Sequence, residues 1–226
     1  MEVINFDDDH DDDKTRHYFL FPDCHYMIIA PTGQGKTNLL LNMLLNSKQG
    51  LCYDKCIIYT INPDQHKYKL LVNFFETVKK EMGDDILTIE SPENVVAVQD
   101  LDSSLNKVII FDDIKLDTGN MNQIKEYFSL SRNKNCNCIY LTQSYYDVPK
   151  YIRRNTKCFV IFGNLDNKDI RQLADDHSCG VTKDEFKQIY HEAVSDKYSF
   201  LVIDKTTKCI PQMYRKRFDG FYFPKH

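Results

Sequence analysis

The sequence predicts an α/β fold: a mainly parallel sheet with helices on both faces and antiparallel strands at one edge near the C-terminus. Three observations predict it. Uninterrupted apolar strands, at 26–30, 55–61 and 107–111 among others, alternate with segments of helical period, the pattern of strands buried on both faces. The first of these strands runs through a glycine-bearing turn straight into a helix. The chain then closes on a hairpin pattern around Asp204, Lys205, Thr206 and Thr207. At 226 residues the chain can bury a good core, and it reads as one domain over 17–226 behind a tail at 1–16.

In order, a short edge strand is expected at 17–21, ended by Pro22 and Asp23, and the first core strand at 26–30. The helix at 37–46 is apolar nearly all round, which calls for burial between the sheet and a neighbour. A strand at 55–61 stops at Asn62, Pro63 and Asp64; a helix at 65–80 carries Tyr68, Leu71, Phe74, Phe75 and Val78 at helical spacing. Gly83, Asp84 and Asp85 make a turn before a short strand at 86–89, and 92–105 reads as a short helix and loop. A strand at 107–111, a helix at 120–132 with Met121, Ile124 and Phe128 on one face, and a strand at 136–142 follow. A short helix at 148–155 has Pro149 in its first turn, where the missing N–H does no harm. A strand at 157–162, helices at 164–176 and 182–193, and hairpin strands at 198–203 and 208–214 complete the pattern.

The composition, 42% hydrophobic and 27% charged, is that of an ordinary globular domain, and no apolar run approaches the ~20 residues that cross a bilayer. The polar, acidic N-terminus is not that of a secretory signal or transit peptide. Net charge is −4, but residues 1–13 hold seven acids and no Lys or Arg, an acidic stretch expected to be disordered. The remainder carries 29 bases against 26 acids, which is not the footprint of an avid nucleic-acid binder. Eight cysteines occur without a C-x-x-C pair or zinc-ligand spacing, so reduced thiols are expected and no metal site beyond nucleotide-bound Mg²⁺.

Chemistry concentrates at strand ends. Ala30, Pro31, Thr32, Gly33, Gln34, Gly35, Lys36 and Thr37, between a strand and a helix, form the phosphate-binding loop of P-loop NTPases, with Ala30 where the pattern has Gly. Gly33 and Gly35 let backbone N–H groups turn toward phosphates at the positive end of a helix. Thr32 to Asn38 thus form the nucleotide cradle; Lys36 reaches the β/γ oxygens and the Thr37 hydroxyl faces Mg²⁺. The strand ending in Asp112 and Asp113 supplies the partner carboxylates: Asp112 for Mg²⁺, through water, and Asp113 where many such ATPases place a Glu that polarises the attacking water. Gln143, ending the next strand, can both donate and accept, as a γ-phosphate sensor must. Arg132 and Arg153 are the cations available to meet transition-state charge, although an arginine at a helix end often meets only the dipole.

Four segments in this order resemble the FtsK–HerA superfamily, and within it the poxvirus-type genome-packaging ATPases of large DNA viruses and virophages. They are 28–37 (the phosphate loop); 109–113 (Ile-Ile-Phe-Asp-Asp); Ser131-Arg132-Asn133 with 139–145 (Ile-Tyr-Leu-Thr-Gln-Ser-Tyr); and 148–155 (Val-Pro-Lys-Tyr-Ile-Arg-Arg-Asn). The resemblance spans residues 20–218, with Asn133 where the family often has His. It implies a homo-oligomeric ring, hexamer or pentamer, that hydrolyses ATP with Mg²⁺ and moves double-stranded DNA through its centre toward a capsid or portal-like vertex protein. It also implies sites between subunits, with Lys36, Thr37, Asp112, Asp113 and Gln143 acting in cis and Arg132, then Arg153, as the finger acting in trans. The location implied is the host cytoplasm or viral factory, or the virion. Lys115, the stretch Arg132-Asn133-Lys134 and the stretch Tyr214-Arg215-Lys216-Arg217 are candidate DNA contacts. Three other readings stand beside it: a relative moving cellular or plasmid DNA; a P-loop small-molecule phosphotransferase, for which no arginine-rich lid is present; and a P-loop protein that binds ATP as a regulatory or assembly module.

Overall fold

A computed structural model describes residues 24–47, 49–114, 120–207 and 210–222; the side chains of Arg132, Ile210 and Pro211 lie outside that description, as do the acidic tail, the strand expected at 17–21, Lys115 and Cys209. The strands are β1 (Tyr26–Ile29), β2 (Lys55–Thr60), β3 (Leu87–Glu90), β4 (Lys107–Asp112), β5 (Cys136–Thr142), β6 (Cys158–Phe162), β7 (Phe200–Asp204), β8 (Tyr214–Lys216) and β9 (Gly220–Phe221). The helices are α1 (Lys36–Leu45), α2 (His66–Met82), α3 (Met121–Leu130), α4 (Lys150–Asn155), α5 (Asn167–His177), α6 (Lys183–Ala193) and α7 (Ile210–Met213). The sheet order is β3-β2-β4-β5-β1-β6-β7-β8-β9, an α/β fold whose antiparallel strands gather at the C-terminal end, as expected.

The residues cluster in two compact units, His25–Lys36 with Leu141–His226, and Thr37–Tyr140. In the first, β1 pairs in parallel with β6 from Tyr26↔Cys158 to Ile29↔Ile161. Strands β6, β7, β8 and β9 then pair antiparallel in succession. All residues of β1, β6 and β7 are buried, which accounts for their unbroken apolar sequences. The helix ends are written locally. Asp166 accepts from the Asp169 N–H to start α5, and Thr182 and Glu185 form a reciprocal capping box at α6.

In the second unit, β2 pairs in parallel with both β3 and β4, bringing Thr60 opposite Asp112. Its core is aromatic: Tyr59 stacks on Phe111 at 5.6 Å, and Phe111 meets Tyr127 edge-on at 5.3 Å. Leu39, Leu40, Leu41, Met43 and Leu44 of α1 are all buried, as its apolar circumference demands. Asn42 shares that burial by donating its amide to the Asn38 carbonyl at 2.8 Å. Helix α2 ends at Gly83, whose φ of 83° only glycine takes without strain, and whose N–H bonds to the Lys79 carbonyl.

Three local expectations shift. Helical spacing admits Phe74 to the inner face of α2, yet it is 48% exposed while Tyr68, Leu71 and Phe75 are buried. Adjacent aromatics cannot share one narrow helical face, and Phe75 takes it. Pro149 lies just outside α4, at its N-cap, rather than in its first turn. The terminal hairpin pairs β7 with β8, but the short α7 precedes β8, so the second strand begins at Tyr214.

Candidate functional site

The phosphate loop takes the backbone that its sequence requires. Gly33 and Gly35 have φ of 81° and 100°, and α1 begins at Lys36. Ala30 is buried, is not among the residues of positive φ, and its N–H donates to the Thr142 carbonyl at 3.0 Å. The chain therefore needs no left-handed residue at this point, and an alanine serves where the pattern has glycine. A side chain at Gly33 would meet nothing within 4 Å, whereas one at Gly35 would sit 3.6 Å from Phe162 and Tyr198.

The same bond places the end of β5 beside the loop, and Gln143 follows directly. The Thr32 hydroxyl donates to Gln143 Oε1 at 3.2 Å, so the expected sensor touches the loop through its side chain. The turn after Gln143 is anchored on α5. Asp169 accepts from the Tyr146 N–H at 2.7 Å and the Ser144 hydroxyl at 3.0 Å. Burial raises the Asp169 carboxyl above its ordinary value, against these two hydrogen bonds that favour its charge.

Arg153 belongs to a neighbouring cluster. Its guanidinium pairs with Asp176, lies 4.8 Å from the Tyr145 ring centre, and is largely buried. Tyr145 also bonds Asp176 at 2.8 Å and His177 Nε2 at 2.9 Å. A tyrosine hydroxyl has one proton, so it donates to the carboxylate and accepts from an Nε2–H tautomer. His177 packs on Phe159 at 4.3 Å; burial first, then the Lys205 cation, depress its pKa to about 3, so the ring is neutral. Arg153 is thus engaged within its own chain. The backbone of Arg132 lies in a 3₁₀ turn, Ser131–Lys134, after α3.

The carboxylates end β4 in the second unit. Asp112 is 2% exposed and accepts a 2.6 Å hydrogen bond from the Tyr68 hydroxyl of α2. Asp113 has φ of 48°, a left-handed backbone that Asp tolerates better than most residues. Its half-buried side chain follows directly on the strand end, and Tyr140 caps the next carbonyl, of Ile114, at 3.0 Å. Lys36 is 9% exposed. Asn38 receives the Lys67 amine. The donor set fits Mg²⁺: the Thr37 hydroxyl and the Asp112 carboxylate are both oxygen donors, the kind that this hard cation takes in ones and twos beside phosphate and water.

One feature is not legible in the sequence. A cavity of about 620 Å³ opens beside Gly33 and Gln34, walled by Asn164, Tyr190, Val194 and Tyr198. Asn164 and Tyr198 hold left-handed backbones, with φ of 62° and 58°. These residues lie in turns far down the chain, in no motif, and only the fold brings them to the loop. Among the candidate DNA contacts, Arg215 is 1% exposed and paired with Asp204 at 2.7 Å, and Tyr214 is buried with its hydroxyl on the His177 carbonyl. Neither is presented to a ligand. Among the described residues no helix is long and apolar enough to cross a membrane.

No family model matches the sequence, and no curated protein does. Solved structures do match. The DNA-packaging ATPase B204 of Sulfolobus turreted icosahedral virus superposes with TM-score 0.56 at 17% identity, covering 91% of this chain and 99% of that one. The genome-packaging NTPase B204 of Sulfolobus turreted icosahedral virus 2 gives 0.55 at 14% identity in complex with AMPPCP, over 84% of this chain and 96% of that one. Its complex with AMP gives 0.54 at 13% identity, over 92% and 100%. The chain shares their fold, the one that its motifs anticipate.

Proposed function

We propose that this chain is an Mg²⁺-dependent ATPase of the FtsK–HerA type that translocates double-stranded DNA, packaging a viral genome. One observation carries the ATPase reading: the phosphate loop holds Gly33 and Gly35 left-handed ahead of α1, and its Thr32 hydroxyl engages Gln143. A loop so shaped binds phosphate with backbone N–H groups, and a sensor amide in contact with it can register whether the γ-phosphate is present. The packaging reading is supported by the four ordered motifs and by likeness to packaging ATPases over nearly their whole length.

Lys36 meets the β/γ oxygens, Gln143 orients the γ-phosphate or the water, and Asp113 draws the proton of that water. Thr37 and Asp112 hold Mg²⁺, which when bound neutralises phosphate charge. The nucleoside lies in the cavity beside Gly33, with Tyr198 as its aromatic wall. Arg132 reaches the site of an adjacent subunit in a hexameric or pentameric ring; Arg153, tied to Asp176, is the weaker candidate for that task. The ring delivers DNA to a capsid or portal-like vertex protein, in the host cytoplasm or viral factory.

The test is phosphate release with and without double-stranded DNA, beside mass in solution. DNA is expected to raise the rate of an oligomer. Lys36→Ala should abolish turnover, and an unchanged rate in that variant would sink the hydrolase reading. Transfer of the γ-phosphate to a small acceptor instead of water would favour a phosphotransferase.

A further inference from the structure

We infer that Tyr68 is a positioning residue for the metal-bearing carboxylate; this rests on the assignment of Asp112 above. The two groups come from different elements, α2 and β4, and meet in the buried interior of one unit. Tyr68 is fully buried, and its hydroxyl lies 2.6 Å from Asp112 Oδ2. At that length the hydroxyl donates a short, well-formed hydrogen bond to one carboxylate oxygen. A carboxylate at a strand end can turn about its last bond. With Oδ2 tied to a phenol whose ring is packed, the plane of Asp112 is fixed before a metal arrives.

The start of α2 reaches the other half of the metal site too. Lys67, the preceding residue, donates its amine to the Asn38 side chain, one residue beyond Thr37. The same helical turn thereby grips α1 just after the expected hydroxyl ligand and β4 at the expected carboxylate. Gln65, at the N-cap, makes no side-chain cap, but its carbonyl accepts from the Tyr68 and Lys69 N–H groups, so the turn that carries both bonds is itself closed. A buried tyrosine needs some acceptor, and structural satisfaction alone would also produce this bond. The two roles differ in what they do to metal affinity. Partners that orient a metal ligand typically cost ~10–100-fold in affinity when removed.

The variant is Tyr68→Phe, which keeps the ring and removes the hydroxyl. Mn²⁺ serves as the probe, titrated into the full chain loaded with ADP and followed by electron paramagnetic resonance. Mn²⁺ affinity is expected to fall about tenfold, with metal-free ADP affinity within about twofold of wild type. The Mg²⁺ concentration for half-maximal ATP turnover should rise in proportion. Unchanged Mn²⁺ affinity in Tyr68→Phe, with Asp112→Asn impaired, overturns the role of Tyr68 alone. Equal loss of metal-free ADP binding also overturns it, because general loosening would then explain the effect. If Asp112→Asn binds Mn²⁺ like wild type, the assignment of Asp112 fails and takes this inference with it.

Discussion

At the scale of single residues, His177 shows how burial converts to pH dependence. Its folded pKa, about 3, lies below the ordinary 6.5. Between those values the unfolded chain takes up a proton that the folded chain refuses. Stability therefore falls as pH drops from 6.5 toward 3, by up to about 1.4 kcal/mol per pH unit from this residue. Urea unfolding from pH 7 to pH 4 should show the slope, and His177→Phe, which packs on Phe159 without titrating, should flatten it. No slope difference would mean that the ring is solvated. Nothing in the sequence marks this histidine. Its partners Tyr145 and Phe159 come from two other stretches of the chain, and long-range packing is invisible to local pattern. The phosphate loop is the opposite case. Gly33, Gly35 and Thr37 were legible because the chemistry demands those residue types at that spacing. The structure also explains Ala30: its N–H bonds to Thr142, and its φ is not positive. At Gly33 a side chain has open space, so Gly33→Ala should cost only the left-handed backbone, about 1–2 kcal/mol, read as a lowered unfolding midpoint.

At the scale of elements, the sequence spelled out strands and several helix starts. Strand β5 lies where its apolar run predicts, because a strand buried on both faces is a continuous apolar string bounded by polar turns. Helix α6 is capped at Thr182 and begins at Lys183, and the capping box explains why: each partner satisfies a backbone N–H that the first turn leaves open. Thr182→Ala should cost about 1 kcal/mol in chemical denaturation, and Thr182→Ser should cost much less. Equal losses in the two variants would deny the cap its role. Faces were harder. Helical spacing admitted both Phe74 and Phe75, and only tertiary packing decides which points inward. The basic stretch at β8 misled for a related reason: Arg215 looks like a surface cation, yet it is buried against Asp204. Such a pair is costly to break from one side, since the remaining charge stays buried. Asp204→Ala should destabilise by about 3–5 kcal/mol, far more than Lys183→Ala, whose pair with Asp175 is largely exposed.

At the scale of the whole molecule, the proposed motor makes each site the joint property of two subunits. Arg153 is held by Asp176 and Tyr145 within its own chain, which leaves Arg132 as the better trans-acting cation. A mixing experiment can decide this without a structure of the ring. Subunits carrying Lys36→Ala lack a working phosphate loop but keep Arg132. Subunits carrying Arg132→Ala keep the loop but lack the finger. Each pure population should hydrolyse ATP poorly. Mixed in equal amounts and reassembled, about one interface in four pairs an intact loop with an intact arginine. Activity should then recover to at most roughly that fraction, since a closed ring offers one such interface per subunit. Recovery should disappear when the mixture is diluted below the concentration at which the ring forms. If Arg132 acted in cis, no mixture would recover, because no subunit would hold both groups. The same mixture made with Arg153→Ala in place of Arg132→Ala separates the two arginines. Loss of the Asp176 pair should lower the unfolding midpoint of that variant, but its subunits keep both the loop and Arg132, so they should hydrolyse ATP unmixed and gain nothing from mixing with Lys36→Ala subunits.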